Sequence, residues 1–161
     1  DHLAQRNRRL WIWGDRLIDG KTTGMGMWEA SMNNTARAID LIPKDVLICD
    51  WHYERPDKTP VYFAMKGLDV VTCPWRKPAV AVAQWKDMIE FRETSTAEMK
   101  DRYKGIVQTV WSGAGAFMDG FYANKKDEKG GDDTPWNSFT TLFKKPVTDK
   151  PKAPQKSRKS K

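Results

Sequence analysis

The stretch Val46-Leu47-Ile48-Cys49-Asp50-Trp51 decides the fold: an apolar run of strand length that ends in a tryptophan. Leu10-Trp11-Ile12-Trp13, Val70-Val71-Thr72-Cys73-Pro74-Trp75 and Ile106-Val107-Gln108-Thr109-Val110-Trp111 follow the same plan. Short runs of this kind, bounded by turn residues, read as strands. Helical patterns separate them. A glycine-rich loop, Gly20 to Met27, precedes a helix expected around Asn33 to Ile42, with Asn34 or Thr35 as cap and Pro43 as its stop. Thr59 reads as the cap of a short helix with Pro60 in its first turn and Gly67 at its close. Pro78 opens a longer helix whose expected apolar stripe is Val82, Trp85, Met88 and Ile89. A further helix is expected over Ala97 to Tyr103, capped by Thr96, before a fourth strand running to Trp111. Ser112 to Ala116 leads into a helix through Phe121, and Pro135 to Phe143 is amphipathic, with Trp136, Phe139, Leu142 and Phe143 placed inward.

Strands alternating with helices specify a parallel sheet built from β/α units. The terminal tryptophans, Trp13, Trp51, Trp75 and Trp111, are spaced by 38, 24 and 36 residues, which brackets the roughly 30 residues of one unit. The fold class is therefore α/β: about four β/α units with parallel strands and flanking helices, the equivalent of half a (β/α)8 barrel. The domain spans residues 1–143, and 144–161 reads as a disordered basic tail. In such a barrel the active site lies at the C-terminal ends of the strands, where these tryptophans fall. Trp11, on the same strand face as Trp13 but deeper, reads as core.

Flat apolar rings at a strand mouth suit sugar rings. Polar residues gather beside them: Asp15, Arg16, Asp50, His52, Tyr53, Glu54 and Arg76. Arg16, Glu54 and Arg76 also fit solvated loops or ion pairs. The loop Trp28-Glu29-Ala30-Ser31-Met32-Asn33-Asn34 either folds over the mouth or lets Trp28 plug the rim.

Several other chemistries are disfavoured. The net charge of +7 suggests nucleic acid, but eight basic residues and one acid lie in 144–161, so the body carries 20 of each sign. A phosphate-tracking surface needs its lysines and arginines on the fold itself. No stretch approaches the ~18 apolar residues of a membrane span, and no signal peptide is visible. With Asp1 first and a helix-like opening segment, the chain is expected to begin inside a larger protein. His2 and His52 lack metal-ligand spacing, so neither a metal nor a cofactor is expected. Cys49 and Cys73 occupy equivalent places on successive strands and read as buried free thiols. Gly20-Lys21-Thr22 lacks the first glycine of a phosphate-binding loop, and Gly24-Met25-Gly26 lacks the third of a dinucleotide fingerprint.

Leu10-Trp11-Ile12-Trp13-Gly14-Asp15-Arg16-Leu17, the stretch Ile42-Pro43-Lys44-Asp45 through Tyr53, and Val107-Gln108-Thr109-Val110-Trp111 together resemble family 20 glycoside hydrolases, the β-N-acetylhexosaminidases and their relatives. The resemblance covers roughly residues 1–123 and the last four strands of the catalytic barrel. It implies a substrate wall of Trp13, Asp15, Trp51, Tyr53, Trp75 and Trp111 around the sugar and its N-acetyl group, and a carbohydrate as partner. It also implies substrate-assisted hydrolysis, with an Asp orienting the acetamido group and an adjacent Glu as general acid/base. That Asp–Glu pair belongs after the fourth barrel strand, upstream of this chain, so no catalytic residue is assigned here and the chain alone is expected to be inactive. The missing N-terminal half of the barrel is an implied partner, and a periplasmic or secreted setting is the one the family implies. Two positions depart from the family pattern: Arg76 stands where a tyrosine is usual, with Tyr53 as the neighbouring substitute, and Gly113 stands where a glutamate is usual.

Two other functions fit the same residues. One is a non-catalytic carbohydrate-binding protein on a decayed barrel. The other is an unrelated α/β domain whose basic tail binds nucleic acid or an acidic polymer. A half barrel would also present open strand edges, so a marginal chain that dimerises or aggregates is expected.

Overall fold

The computed structural model describes residues 2–143; the expected basic tail, 144–161, lies outside the described residues. Four strands, β1 (Trp11–Trp13), β2 (Leu47–Asp50), β3 (Asp69–Thr72) and β4 (Tyr103–Ile106), form one sheet in that order. Every pairing is parallel, so each connection must cross over. Between β1 and β2 the chain makes the single turn α1 (Gly20–Thr23) and a 3-10 helix, Thr35–Leu41. Helix α2 (Thr59–Met65) joins β2 to β3, and α3 (Pro78–Thr94) with the short α4 (Ala97–Lys100) joins β3 to β4. Beyond β4 come α5 (Ala114–Ala123) and α6 (Pro135–Phe143). The architecture is thus α/β with a parallel sheet and flanking helices. No helix among the described residues is long and apolar enough to cross a membrane.

Strand alternation sorts the side chains onto two faces. Ile12, Ile48 and Val70 are register partners and point to one face, against Phe63 and Ala64 of α2 and Met88 of α3. Phe63, Ile48, Val70 and Leu68 are completely enclosed; fully burying a side chain such as Phe63 contributes about 1.5–3 kcal/mol. The opposite face carries Trp11, Trp13, Leu47, Cys49, Val71 and Cys73, of which the last four form a second, smaller cluster with Trp51 packed against it. Both cysteines are free and buried, as expected. Gly14, just past β1, lies so close to the first core that a Cβ there would stand 2.8 Å from Ile48 Cγ2 and 2.9 Å from Phe63 Cζ.

Several local expectations are corrected. The fourth strand is Tyr103–Ile106 rather than the run ending at Trp111, and the helix before it stops at Lys100. Tyr103 pulls the strand forward because its ring is buried against Phe91 of α3. Gly105 sits inside β4 at φ 113°, where the register with β3 shifts. Val107 and Thr109 still donate backbone hydrogen bonds to Thr72 and Pro74, so the chain keeps running beside β3 toward Trp111.

Trp11 is not core: half of its surface is exposed, because it points from the edge strand away from the helices. The buried face of α3 is Val80, Ala81, Gln84 and Met88 rather than the stripe through Val82, Trp85 and Ile89. Polar Gln84 faces inward because it bridges Thr72 and the His52 carbonyl. Trp85 turns toward α6 and lines an apolar cavity of about 180 Å³ with Ile106, Leu142 and Phe143. Phe143, expected inward, is 42% exposed, while Trp136 lies over Gly120 of α5, where a Cβ would stand 2.4 Å from its ring.

Candidate functional site

The structure gathers Trp13, Asp15, Trp51, Tyr53, Trp75 and Trp111 at the C-terminal end of the sheet. Trp13 closes β1, and Asp15 opens a 3-10 turn, Asp15–Leu17, immediately after it. Trp51 and Tyr53 follow β2 directly, while Trp75 and Trp111 lie three and five residues past β3 and β4. Their rings form a connected set. The Trp13 and Trp111 centroids are 6.0 Å apart, those of Trp51 and Tyr53 4.9 Å, and those of Tyr53 and Trp75 5.5 Å in an edge contact. Such contacts add about 0.5–1.5 kcal/mol each beyond area burial.

Two indole hydrogen bonds lock the set. Trp111 Nε1 donates to the Tyr53 hydroxyl at 2.6 Å, and Trp51 Nε1 donates to Asp15 Oδ1 at 3.0 Å. Asp15 Oδ2 accepts from Arg16, so both carboxylate oxygens are engaged and Asp15 orients Trp51. Burial raises the Tyr53 pKa, with hydrogen-bond contacts to Thr109 and Trp111 opposing it, so the phenol stays neutral. Trp13 and Trp111 keep about half of their surfaces free, 46% and 58%. The arrangement is an open aromatic shelf of the kind that receives flat apolar ligand faces, with few polar groups to set orientation. Arg76 pairs with Glu54 and lays its guanidinium 4.7 Å from the Trp75 ring centre; Lys77 joins the same glutamate. Trp28 plugs nothing: it is 77% exposed, and its carbonyl accepts from Arg16.

A second cluster lies behind the shelf, on the other face of the chain leaving β2. His52 is 2% exposed as a side chain and Asp50 1%. Nδ1 of His52 faces Glu29 Oε2 at 2.9 Å and Asp57 Oδ2 at 3.6 Å. Nε2 lies 2.9 Å from Thr59 Oγ1 and 3.2 Å from Asp50 Oδ1, the latter without the alignment of a hydrogen bond. Thr59 Oγ1 donates to Asp50 Oδ2 at 2.6 Å. Thr59, expected as a helix cap, is the first residue of α2 and spends its hydroxyl here; Lys58 holds the cap position. Burial by itself would push the imidazolium down. The contacts to Asp50 and Glu29 and the charges of Asp50 and Asp57 outweigh it, and the pKa rises to about 10. The Glu29 carboxyl is correspondingly held low, chiefly by His52.

Sequence spacing missed this cluster. Glu29 lies 23 residues before His52 in a loop, and only the crossover after β1 brings them together. The one available signal was Asp50-Trp51-His52: two polar groups at alternating strand positions beside a buried strand. Glu29, His52 and Asp57 each bring one ligand-type atom within 4.8 Å of the others, close enough to share an ion. No protein-family model matches this chain, and neither does any curated protein.

Proposed function

We propose that the chain is the C-terminal half of a (β/α)8 glycoside hydrolase barrel of the β-N-acetylhexosaminidase type, and that its aromatic shelf binds a β-linked N-acetylhexosamine. The observation that carries the reading is the convergence of six residues, from four separate β/α units, at the strand ends. Four parallel strands in sequential order, with α2 and α3 on one face, suit the barrel. In this reading Trp13 and Trp111 offer open faces to the sugar ring. Trp51, Tyr53 and Trp75 form the wall behind, and the Tyr53 hydroxyl serves the acetamido group. None of the four strand ends carries an adjacent Asp–Glu pair, and Asp127-Glu128 lies in the loop before α6, so in this reading the chain binds and does not cleave.

Binding of N-acetylglucosamine followed by tryptophan fluorescence tests the proposal. Saturable quenching that weakens about tenfold in Trp13→Ala and Trp111→Ala is expected; a ~1.4 kcal/mol loss per platform corresponds to that factor. No saturable response, or an equal response to glucose, would overturn it.

The position of Arg76 favours a second reading, a carbohydrate-binding protein without hydrolytic activity. Its guanidinium covers a face of Trp75 where the family pattern places a tyrosine. A parent protein that binds N-acetylglucosamine but releases no chromogenic aglycone would select this second reading.

A further inference from the structure

We propose that Glu29, His52 and Asp57 form a binding site for a first-row divalent metal ion of the Zn²⁺ class, clamping the loop after β1 to the chain leaving β2. The Thr59 hydroxyl has one hydrogen, and at 2.6 Å it belongs to Asp50 Oδ2. Oγ1 of Thr59 can then only accept from His52 Nε2, 2.9 Å away. That fixes a proton on Nε2 and leaves Nδ1 as the variable position. Nδ1 points at two carboxylate oxygens, of Glu29 and Asp57. A bare lone pair there would meet only negative charge, so the position takes a proton or, in its place, a metal cation.

The distances fit an ion. Bonds of ~2.0–2.2 Å in tetrahedral geometry place ligand atoms about 3.3–3.6 Å apart. Here Nδ1 stands 2.9 and 3.6 Å from the two oxygens, and all three ligand atoms lie within 4.8 Å of one another. One imidazole with two carboxylates suits zinc and its neighbours; magnesium and calcium prefer oxygen alone.

The second layer is built independently. Asp50 is almost fully buried, and its Oδ1, without a hydrogen bond, is aimed at the ring edge opposite Nδ1. Linked to Nε2 through the Thr59 hydroxyl, this buried carboxylate stands behind the ring, where such a partner fixes the tautomer and raises ligand basicity. Gln84 Nε2 holds the His52 carbonyl at 2.7 Å, so the backbone is fixed as well. Glu29 and Asp57 are partly exposed, which supplies an entry path and an open coordination position.

The test is independent of the carbohydrate reading. The chelator-stripped chain is titrated with Co²⁺, followed by visible absorption, and with Zn²⁺, followed by calorimetry. One equivalent bound with tetrahedral Co²⁺ bands is expected. The Glu29→Gln/Asp57→Asn double variant should lose at least tenfold in affinity, and His2→Ala should lose nothing. A folded chain that gives neither bands nor heat, or a double variant that binds equally well, would overturn the proposal. Should the double variant fail to fold, imidazole ¹⁵N spectra of the unaltered chain decide. Zn²⁺ must shift His52 Nδ1 and leave Nε2 protonated; a shift at His2 alone, or none, refutes the site.

Discussion

Replacing Thr59 by valine removes one oxygen from the interior and almost nothing else. The two side chains have nearly the same shape, so no cavity opens. Two interactions disappear. The Asp50 carboxylate loses its donor at 2.6 Å, and the His52 Nε2 proton loses its acceptor at 2.9 Å. A hydrogen bond to a charged group contributes about 1.5–3 kcal/mol, and stranding a buried donor costs about 1–3 kcal/mol. The Nε2 proton has a partial refuge in Asp50 Oδ1, 3.2 Å away, so a net loss of about 2–4 kcal/mol is expected. At about 2–4 °C per kcal/mol for a chain of this size, the melting temperature should fall by about 4–16 °C. Thr59→Ser keeps the hydroxyl and gives up one methyl, worth about 0.8 kcal/mol. Urea denaturation of the three proteins with chelator present is the assay. Equal losses in the serine and valine variants, or a valine variant within about 0.5 kcal/mol of the parent, would show that the hydroxyl relay does not hold this region together.

The metal-free chain should also carry a pH signature. His52 has a folded pKa of about 10 against an ordinary value of 6.5, so its stabilisation is complete below about pH 6.5 and is lost as pH climbs toward 10. Glu29, held low, acts in the opposite sense and loses its contribution as pH falls through the acid range. Urea midpoints that stay flat from neutral pH to about pH 10 would contradict the His52 part of this account. Gly14→Ala should destabilise the fold by about 1–3 kcal/mol through overpacking, because the new methyl would meet the enclosed side chains of Ile48 and Phe63. A chemical denaturation midpoint equal to that of the parent would show that β1 can withdraw from the core at no cost.

The first three strands were legible because each apolar run is bounded by clear stops and shares a period with its neighbour. Pro78, Pro135 and the small residues ahead of Ala114 announced their helices for the same local reason. The fourth strand misled because its apolar run, Ile106 to Trp111, lies downstream of the residues that pair. Tyr103 and Gly105 enter the sheet through packing on Phe91 and a bulge, neither of which leaves a pattern in sequence. The stripe on α3 was misplaced because a glutamine occupies its buried face, and its partners, Thr72 and His52, are tertiary. All six shelf residues were nameable from the sequence, since strand ends sit at a shared height in a parallel sheet. Their mutual order was not, because Trp111 reaches Tyr53 across 58 residues. The histidine cluster was the least legible, being assembled from a loop, a strand exit and a helix start.

Strand β2 and its exit serve two masters by parity. Odd-numbered Leu47, Cys49, Trp51 and Tyr53 belong to the aromatic side, and even-numbered Ile48, Asp50 and His52 to the helix side and its ionic knot. Point changes at odd positions can therefore remodel the surface offered to a ligand while leaving the charged interior alone. Loss or gain of a single codon in this stretch would do the reverse, turning indole into the interior and imidazole toward the mouth in one step. Drift in this segment is thus confined to replacement, with length held constant.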